Sequence, residues 1–271
     1  ISSDGKLIAL VGEKVYLWNT QTQQLTLVDI GITPNSVVKA TFSPDNRLLA
    51  CCSAETEFGT SEIIFWNMVE NKINTPLAKI TTGSVPTHIV FSTDGMLVAF
   101  DDEEDVQIID VQKDTPIARI TDHTKYVNSI NFTPDNKQLI STAYDNGIRI
   151  FDIPNKKERK LIGKANQIID NTYIIDNTTL ISVPEEGSLY TWNLVTGQSK
   201  KLPILADTES ISALSQDKTF LAIATTNGAV KLLNLKTGQI RSLINGAHSV
   251  INLNFSFDNK FLITVSINGT V

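Results

Sequence analysis

The chain has 271 residues, of which 41% are hydrophobic and 19% charged, a balance typical of a globular protein with a sizeable core. A net charge of −6 and a pI near 5.1 argue against a general nucleic-acid binder, because the phosphate backbone requires clustered Lys and Arg. The sequence has no apolar run long enough to span a bilayer, so no transmembrane segment is expected.

A short motif recurs along the whole chain. It consists of a leading aromatic or apolar residue, a small residue, any residue, Asp, a turn residue and an apolar pair, as in FSPDNRLLA and FSTDGMLVA. The leading residues are Ile1, Phe42, Phe91, Phe132, Tyr173, Leu214 and Phe255. Successive copies are 41, 49, 41, 41, 41 and 41 residues apart, and such regular self-similarity predicts a repeat architecture.

Within each copy, short apolar runs are separated by turn residues and predict strands. In chain order, the fourth copy predicts a strand over YVNSINF, a turn at PDNK, a strand over QLISTA, a turn at YDNG, a strand over IRIFDI and a strand over KERKLIG. The Asp-Asn and Asp-Gly pairs at the first turn allow the left-handed backbone that a tight hairpin needs. We therefore interpret these aspartates as turn-forming residues and the stretch from Ile130 to Asp152 as scaffold.

Four strands per copy form a sheet that is apolar on both faces, so neighbouring sheets must stack to bury them. Radial stacking of units with a period of about 40 to 45 residues is the β-propeller arrangement. We therefore predict an all-β fold in which residues 1–271 form a single β-propeller. It would have seven four-stranded antiparallel blades, and the terminal blades would be incomplete in this chain.

The period, the strand count and the residues that end the third strand resemble the WD40-repeat family. The dipeptides at that place include Trp18-Asn19, Trp66-Asn67, Trp192-Asn193 and Phe151-Asp152, where the family has Trp-Asp. The resemblance implies that His123, Ser141 and Asp145 form a structural hydrogen-bond chain in the fourth blade. Because Phe151 has no indole N–H to donate, the repeats are degenerate versions of the family pattern.

The sequence offers little for catalysis or metal binding. The histidines, His88, His123 and His248, have no His or Cys partner at a metal-ligand spacing, and no phosphate loop or nucleophile motif stands out. We therefore predict no catalytic residue, no metal site and no cofactor. Cys51 and Cys52 are adjacent and should point to opposite faces of a strand, which suits a reducing compartment and favours a cytoplasmic location.

The loops between second and third strands are acidic, and the resemblance places them together on one face. The residues of this acidic loop face are Asp101, Asp102, Glu103, Glu104, Asp105, Glu55, Glu57, Glu62, Glu185 and Glu186. The five adjacent carboxylates of DDEED repel one another unless a cation or a basic partner offsets them, and the loop lacks the ligand spacing of a calcium loop. We therefore expect this face to bind a Lys/Arg-rich peptide or protein surface.

Three functions are compatible with the sequence. The first is a non-catalytic protein–protein interaction scaffold within a larger regulatory or effector protein, which the resemblance implies. The second is a propeller enzyme, such as a hydrolase, lyase or peptidase-associated propeller, that uses the central channel. Its candidate channel residues are Lys39, His88, Asn128 and Asn252. The third is a mixed-charge lower face that contacts RNA or anionic lipid through residues 156–160.

Overall fold

The computed structural model describes residues 1–28, 37–53, 60–68, 76–161, 167–206, 211–225, 227–245 and 248–270. Every regular element in these ranges is a β-strand, and adjacent strands in each sheet are antiparallel neighbours in the chain. No helical segment with the length and hydropathy of a membrane span is found in them.

The strands form consecutive sheets, one for each copy of the repeat. The first sheet contains β1 (Leu7–Leu10), β2 (Val15–Asn19) and β3 (Leu25–Val28). The second contains β4 (Val37–Phe42), β5 (Leu48–Ser53), β6 (Ser61–Asn67) and β7 (Pro76–Thr82). The third contains β8 (Ile89–Phe91), β9 (Leu97–Asp102), β10 (Asp105–Asp110) and β11 (Thr115–Ile120). The fourth contains β12 (Val127–Phe132), β13 (Gln138–Ala143), β14 (Ile148–Asp152) and β15 (Lys157–Leu161).

The remaining sheets follow in the same order. The fifth contains β16 (Ile169–Ile174), β17 (Thr179–Pro184), β18 (Gly187–Asn193) and β19 (Ser199–Ala206). The sixth contains β20 (Ile211–Leu214), β21 (Phe220–Ala224), β22 (Ala229–Asn234) and β23 (Ile240–Asn245). The seventh contains β24 (Val250–Phe255) and β25 (Leu262–Ser266). The prediction of four-stranded sheets with incomplete terminal ones is confirmed, because the described part of the first sheet has three strands and that of the last has two.

The chain divides into two compact units. The first comprises Ile1–Asp145 and Arg149–Lys160, and the second comprises Asn146–Ile148 and Leu161–Val271. The expectation of a single domain over residues 1–271 stays a prediction beside this division.

The core lies between neighbouring sheets within each unit. Val15 and Leu17 of the first sheet pack with Leu49, Cys51 and Trp66 of the second in one buried cluster. Similar clusters join the second sheet to the third, the third to the fourth, the fifth to the sixth and the sixth to the seventh. Strands β5, β9 and β13 are buried along almost their whole length, as the prediction of stacking on both faces requires.

The leading residues of the repeat differ in burial. Phe132 is buried in the cluster between the third and fourth sheets, whereas Ile1 is 80% exposed. Five others are partly buried, and these are Phe42, Phe91, Tyr173, Leu214 and Phe255. In the second to seventh sheets the leading residue therefore lies at or next to the end of the first strand, and its depth varies between copies.

The turn after each first strand is held by the motif's own side chains. In the second sheet, Ser43 donates its hydroxyl to Asp45 (2.6 Å), Asp45 accepts from the Arg47 N–H (3.0 Å), and Leu48 donates its N–H to Ser43 (2.9 Å). Asn46 takes the left-handed conformation between them, with φ at 59°. The same Asp geometry recurs at Asp4, Asp94, Asp135, Asp217 and Asp258. This agrees with the interpretation of these aspartates as turn-forming residues.

These turns also connect neighbouring sheets. The Asn side chain of one turn accepts a hydrogen bond from a backbone N–H in the turn of the preceding sheet. The donor and acceptor pairs are Ser3 to Asn46 (2.8 Å), Thr93 to Asn136 (2.9 Å) and Gln216 to Asn259 (2.7 Å). Between these three pairs of sheets, polar contacts at this end add to the buried clusters in holding neighbouring sheets together.

Candidate partner-binding site

The run DDEED forms the hairpin between β9 and β10. Asp102 and Asp105 are paired across the two strands, and Glu103 and Glu104 form the turn between them. Glu103 has a φ of 60°, in the left-handed region that short turns require. Both glutamates are exposed at the tip of the hairpin.

Asp101 does not belong to the exposed loop that the sequence predicted. Strand β9 continues through Asp102, so Asp101 is a strand residue and is only 4% exposed. Its carboxylate accepts hydrogen bonds from the Thr87 N–H (3.1 Å), the Thr87 hydroxyl (2.6 Å) and the His88 N–H (2.5 Å). Burial raises the pKa of Asp101, but the bonds from His88 and Thr87 outweigh it and lower the pKa below its ordinary value. Asp101 is therefore an ionised structural group with no access to a partner.

The charge of Asp102 and Asp105 is also offset within the fold. Asp102 accepts from the N–H groups of Gly83 (3.0 Å) and Ser84 (3.1 Å) in the connection that precedes β8. Asp105 accepts from the side chain of Arg119 on β11 at 2.7 Å. The predicted repulsion among five carboxylates is therefore relieved inside the protein for three of them.

The other residues of the predicted acidic loop face are in different situations. Glu55 and Glu57 lie outside the described residues. Glu62 is paired with Lys79 at 2.6 Å across β6 and β7. Glu185 and Glu186 are exposed in the turn between β17 and β18 of the second unit.

The structure brings His123, Ser141 and Asp145 together, as the resemblance implied. His123 Nδ1 donates to Asp145 (3.1 Å), and His123 Nε2 accepts from the Ser141 hydroxyl at 2.9 Å. Burial lowers the pKa of His123, although Asp145 acts in the opposite direction, so the imidazole stays neutral. Asp145 also accepts from the Thr124 N–H at 3.2 Å. This chain of hydrogen bonds therefore fixes the segment that leads into β12.

Two exposed tyrosines next to this segment were not identified from the sequence. Tyr126 immediately precedes β12 and is 66% exposed, and Tyr144 immediately follows β13 and is 45% exposed. Tyr144 donates its N–H to the Tyr126 carbonyl at 3.0 Å. The sequence does carry a signal for these tyrosines. They are two aromatic residues that flank a predicted pair of strands, next to polar loops.

Of the candidate channel residues of the first unit, Lys39 and His88 both contact Thr87. Lys39 donates to the Thr87 carbonyl, and the Thr87 hydroxyl lies 2.9 Å from His88 Nδ1. Burial lowers the pKa of Lys39, while the charge of Asp101 opposes that shift. Asn128 lies on β12, and Asn252 is exposed on β24 of the second unit and accepts from Asn254 at 2.7 Å.

The lysines of the proposed lower face are exposed. Lys156 lies in the turn before β15, and Lys157 and Lys160 lie on that strand. Glu158 stands among them and pairs with Arg149 at 3.3 Å, so this surface carries both signs of charge. Within the described ranges, no three His, Cys, Asp or Glu side chains are placed to hold a metal ion.

Comparisons with known proteins agree with this architecture. Residues 114–152 match the family model "WD domain, G-beta repeat". The chain is 36% identical over 62 residues to ribosome assembly protein 4 of Saccharomyces cerevisiae, which covers 22% of this chain and 12% of that protein. It is 30% identical over 162 residues to WD repeat-containing protein SL1-17 of Schistosoma mansoni, which covers 56% of this chain and 49% of that protein. The chain therefore spans at most about half the length of these relatives.

A likeness to a solved structure extends over nearly the whole chain. A chain in the crystal structure of the mitotic checkpoint complex superposes with a TM-score of 0.73, at 14% sequence identity, over 97% of this chain and 83% of that chain. Together with the antiparallel sheets, this match establishes the fold class as an all-β propeller.

Proposed function

Because this chain belongs to the WD40-repeat family of β-propellers, we propose that it is a non-catalytic scaffold that binds a Lys/Arg-rich peptide or protein surface. WD40 propellers typically act as protein-interaction scaffolds and bind proteins or peptides. We place the binding surface on the part of the acidic loop face that the β9–β10 hairpin exposes, Glu103 and Glu104, and the chain within a larger regulatory or effector protein of the cytoplasm. The buried free thiols of Cys51 and Cys52 support a reducing location.

The observation that carries this proposal is the state of the β9–β10 hairpin. Hydrogen bonds and an ion pair hold Asp101, Asp102 and Asp105, while Glu103 and Glu104 stay exposed. A turn fixed in this way loses little conformational entropy when a partner binds. Two exposed carboxylates on a fixed turn also steer a cationic partner toward this surface.

The polar cluster around Lys39 favours a scaffold over an enzyme. Asp101 is committed to three hydrogen bonds from Thr87 and His88, and Lys39 is bonded to the Thr87 carbonyl. These bonds explain the cluster as a support for the start of β8. The names of two relatives, a ribosome assembly protein and a mitotic checkpoint complex, refer to assemblies and agree with this proposal.

Charge reversal on the hairpin tests the proposal. The protein and its Glu103→Lys/Glu104→Lys variant are probed with an array of peptides of fixed length in which the Lys and Arg content varies. We expect the unaltered protein to bind the basic peptides with an affinity that falls as salt is added, because exposed charge pairs are screened. The variant should bind them about tenfold or more weakly, since attraction at two positions becomes repulsion.

The matched variant is Glu185→Lys/Glu186→Lys, which makes the same change in net charge on the second unit. If this variant keeps most of the binding, net charge alone does not explain the loss on the hairpin. Equal binding of basic and neutral peptides by the unaltered protein would refute the proposal. Equal loss in both variants would assign the effect to overall charge and would refute the role of Glu103 and Glu104.

A further inference from the structure

The exposed tyrosines of the fourth sheet form a defined surface, which we call the tyrosine pair (Tyr126 and Tyr144). Val127 and Ala143 are paired across β12 and β13, and the bond from Tyr144 N–H to the Tyr126 carbonyl extends this pairing by one step. Residues directly opposite one another in an antiparallel pair point to the same face, with Cβ atoms about 4.5 to 5.5 Å apart. The two tyrosine side chains therefore extend from adjacent backbone positions on the same face of the sheet.

The backbone beneath the tyrosine pair is fixed by buried groups. Asp145 follows Tyr144 directly, and its carboxylate is bonded to His123 and to the Thr124 N–H. Tyr126 lies two residues after Thr124, so both ends of the pair are held by the same buried carboxylate. A surface fixed before binding contributes its full contact area without a large loss of entropy.

The acidic hairpin tip lies against the same segment. The N–H of Val127, the residue after Tyr126, donates to the Glu103 carbonyl at 3.4 Å. Glu103 and Glu104 are exposed there, and the Asp122 side chain is 65% exposed in the same connection. Asp122 is paired with Arg149 at 3.8 Å, and Lys125 is exposed beside it. We therefore take Glu103 and Glu104 as the carboxylates available to a cation beside the tyrosine pair.

We propose that the tyrosine pair and Glu103 with Glu104 together bind an arginine side chain of the basic partner; this inference rests on the proposed function. A guanidinium group is planar, stacks on aromatic faces and pairs with carboxylates through several N–H groups, whereas a lysine ammonium is more strongly hydrated. Rings beside carboxylates satisfy both requirements of a guanidinium. The surface is therefore complementary in shape and charge to an arginine-containing segment.

The test uses three fluorescent peptides of equal length, built from repeated Gly-Arg, Gly-Lys and Gly-citrulline, with binding to the 271-residue chain measured by anisotropy. Citrulline keeps the planar shape of arginine but carries no charge. We expect the arginine peptide to bind several-fold more tightly than the lysine peptide and the citrulline peptide to bind weakest. Tyr126→Ala/Tyr144→Ala should lose about tenfold in affinity for the arginine peptide and lose the preference over lysine.

The controls separate this inference from the proposed function. Tyr126→Phe/Tyr144→Phe keeps both aromatic faces and should recover most of the affinity that the alanine variant loses. Leu77→Ala/Met96→Ala removes two similarly exposed apolar side chains elsewhere in the first unit and should bind as the unaltered protein does. An arginine preference that survives in the Tyr→Ala variant would overturn the inference. If the arginine preference survived in the Tyr→Ala variant while Glu103→Gln/Glu104→Gln abolished binding, the inference would fail and the proposed function would stand. Failure of the unaltered protein to bind either basic peptide would overturn both.

Discussion

Trp66 and Trp192 have corresponding positions at the end of the third strand, but their indole N–H groups differ. Trp192 Nε1 donates to the Ser182 hydroxyl at 2.8 Å, whereas Trp66 Nε1 is buried and has no acceptor among the described residues. Trp66 pairs with Leu49, and Cys51 lies two residues beyond it, where Ser182 lies in the fifth sheet. Burial raises the pKa of Cys51 to about 12, so the thiol is neutral and is a weak acceptor.

Replacing Cys51 by serine should therefore stabilise the protein. The hydroxyl introduced by Cys51→Ser would accept from Trp66 Nε1, and satisfying a buried donor contributes about 1 kcal/mol to the free energy of unfolding. Urea denaturation measures this difference. The matched control is Cys52→Ser, because the Cys52 thiol already donates to the Ser53 carbonyl at 3.4 Å and a hydroxyl there would satisfy no unpaired group, so this variant should lose stability through weaker packing in its cluster. A loss of stability in Cys51→Ser equal to that in Cys52→Ser would contradict the prediction.

The neutral state of His123 predicts a pH dependence of stability. Burial lowers the pKa of His123 in the folded state, while an unfolded histidine has a pKa of about 6.5. As the pH falls below about 6.5, the unfolded chain binds a proton that the folded protein does not bind. The free energy of unfolding should then decrease by at most about 1.4 kcal/mol per pH unit. Urea denaturation between about pH 7 and pH 5 should show this slope.

The slope should be much smaller in His123→Gln, which has no group that titrates in this range. His88→Gln serves as the matched control, because it makes the same substitution at a histidine outside the His123, Ser141 and Asp145 chain. If His123→Gln kept the slope of the unaltered protein, another group would be responsible and the interpretation of the His123, Ser141 and Asp145 chain would be wrong.

The five carboxylates of the DDEED run differ in their surroundings, and the sequence alone does not indicate how. The sequence identifies a cluster of negative charge, but charge alone does not indicate which carboxylates are bonded inside. Asp101 is buried because β9 extends through Asp102 and because the N–H groups of Thr87 and His88 meet it there. These donors come from a connection that has no distinctive composition. A run of carboxylates in a sequence therefore does not by itself require a cationic partner, because groups inside the fold can offset the charges.

At the level of single elements, the strands and turns follow the local sequence closely. The predicted strand over QLISTA is β13, and the predicted turn at PDNK has a left-handed Asn136 with φ at 57°. The contact between neighbouring turns was not predicted, because Thr93 and Asn136 are 43 residues apart. The conformation of a turn can be predicted from its own residues, whereas the hydrogen-bond partner of its Asn side chain depends on how the sheets stack.

Asn136→Gly separates these two roles. Glycine keeps the left-handed backbone but removes the side-chain oxygen that accepts from the Thr93 N–H and the Thr93 hydroxyl, both at 2.9 Å. We expect a loss of about 1 kcal/mol in the free energy of unfolding, and a further loss of about 1 to 2 kcal/mol in Asn136→Ala from backbone strain. Denaturant unfolding measures both.

The control for this pair is Asp114→Gly, at an exposed residue that also has a left-handed backbone, with φ at 51°. Asp114→Gly relieves backbone strain and removes no contact between sheets, so its free energy of unfolding should be unchanged or slightly higher. If Asn136→Gly behaved like Asp114→Gly, the bonds to Thr93 would have no role in stability.

For the whole molecule, the spacing of the repeat carries most of the predictable information. Seven copies of one motif give seven sheets, because each sheet must stack to bury its two apolar faces. The candidate site is less predictable. Glu103 and Glu104 are visible in the sequence as part of a charge run, but the tyrosine pair depends on cross-strand pairing at the end of β12 and β13. The repeat pattern does not include these two tyrosines, so the sequence alone does not indicate that they are neighbours.

The Asn contacts between neighbouring turns have a consequence for how the chain tolerates change. They tie adjacent sheets at one end, while the connection between second and third strands lies at the other end of each sheet. The one irregular step of the repeat, 49 residues in place of 41, coincides with the connection between β5 and β6. Added residues at that end do not interrupt the Asn contacts, because those contacts lie at the opposite end of the sheets. The β9–β10 tip is accordingly a place where a foreign peptide could be grafted without breaking the Asn contacts.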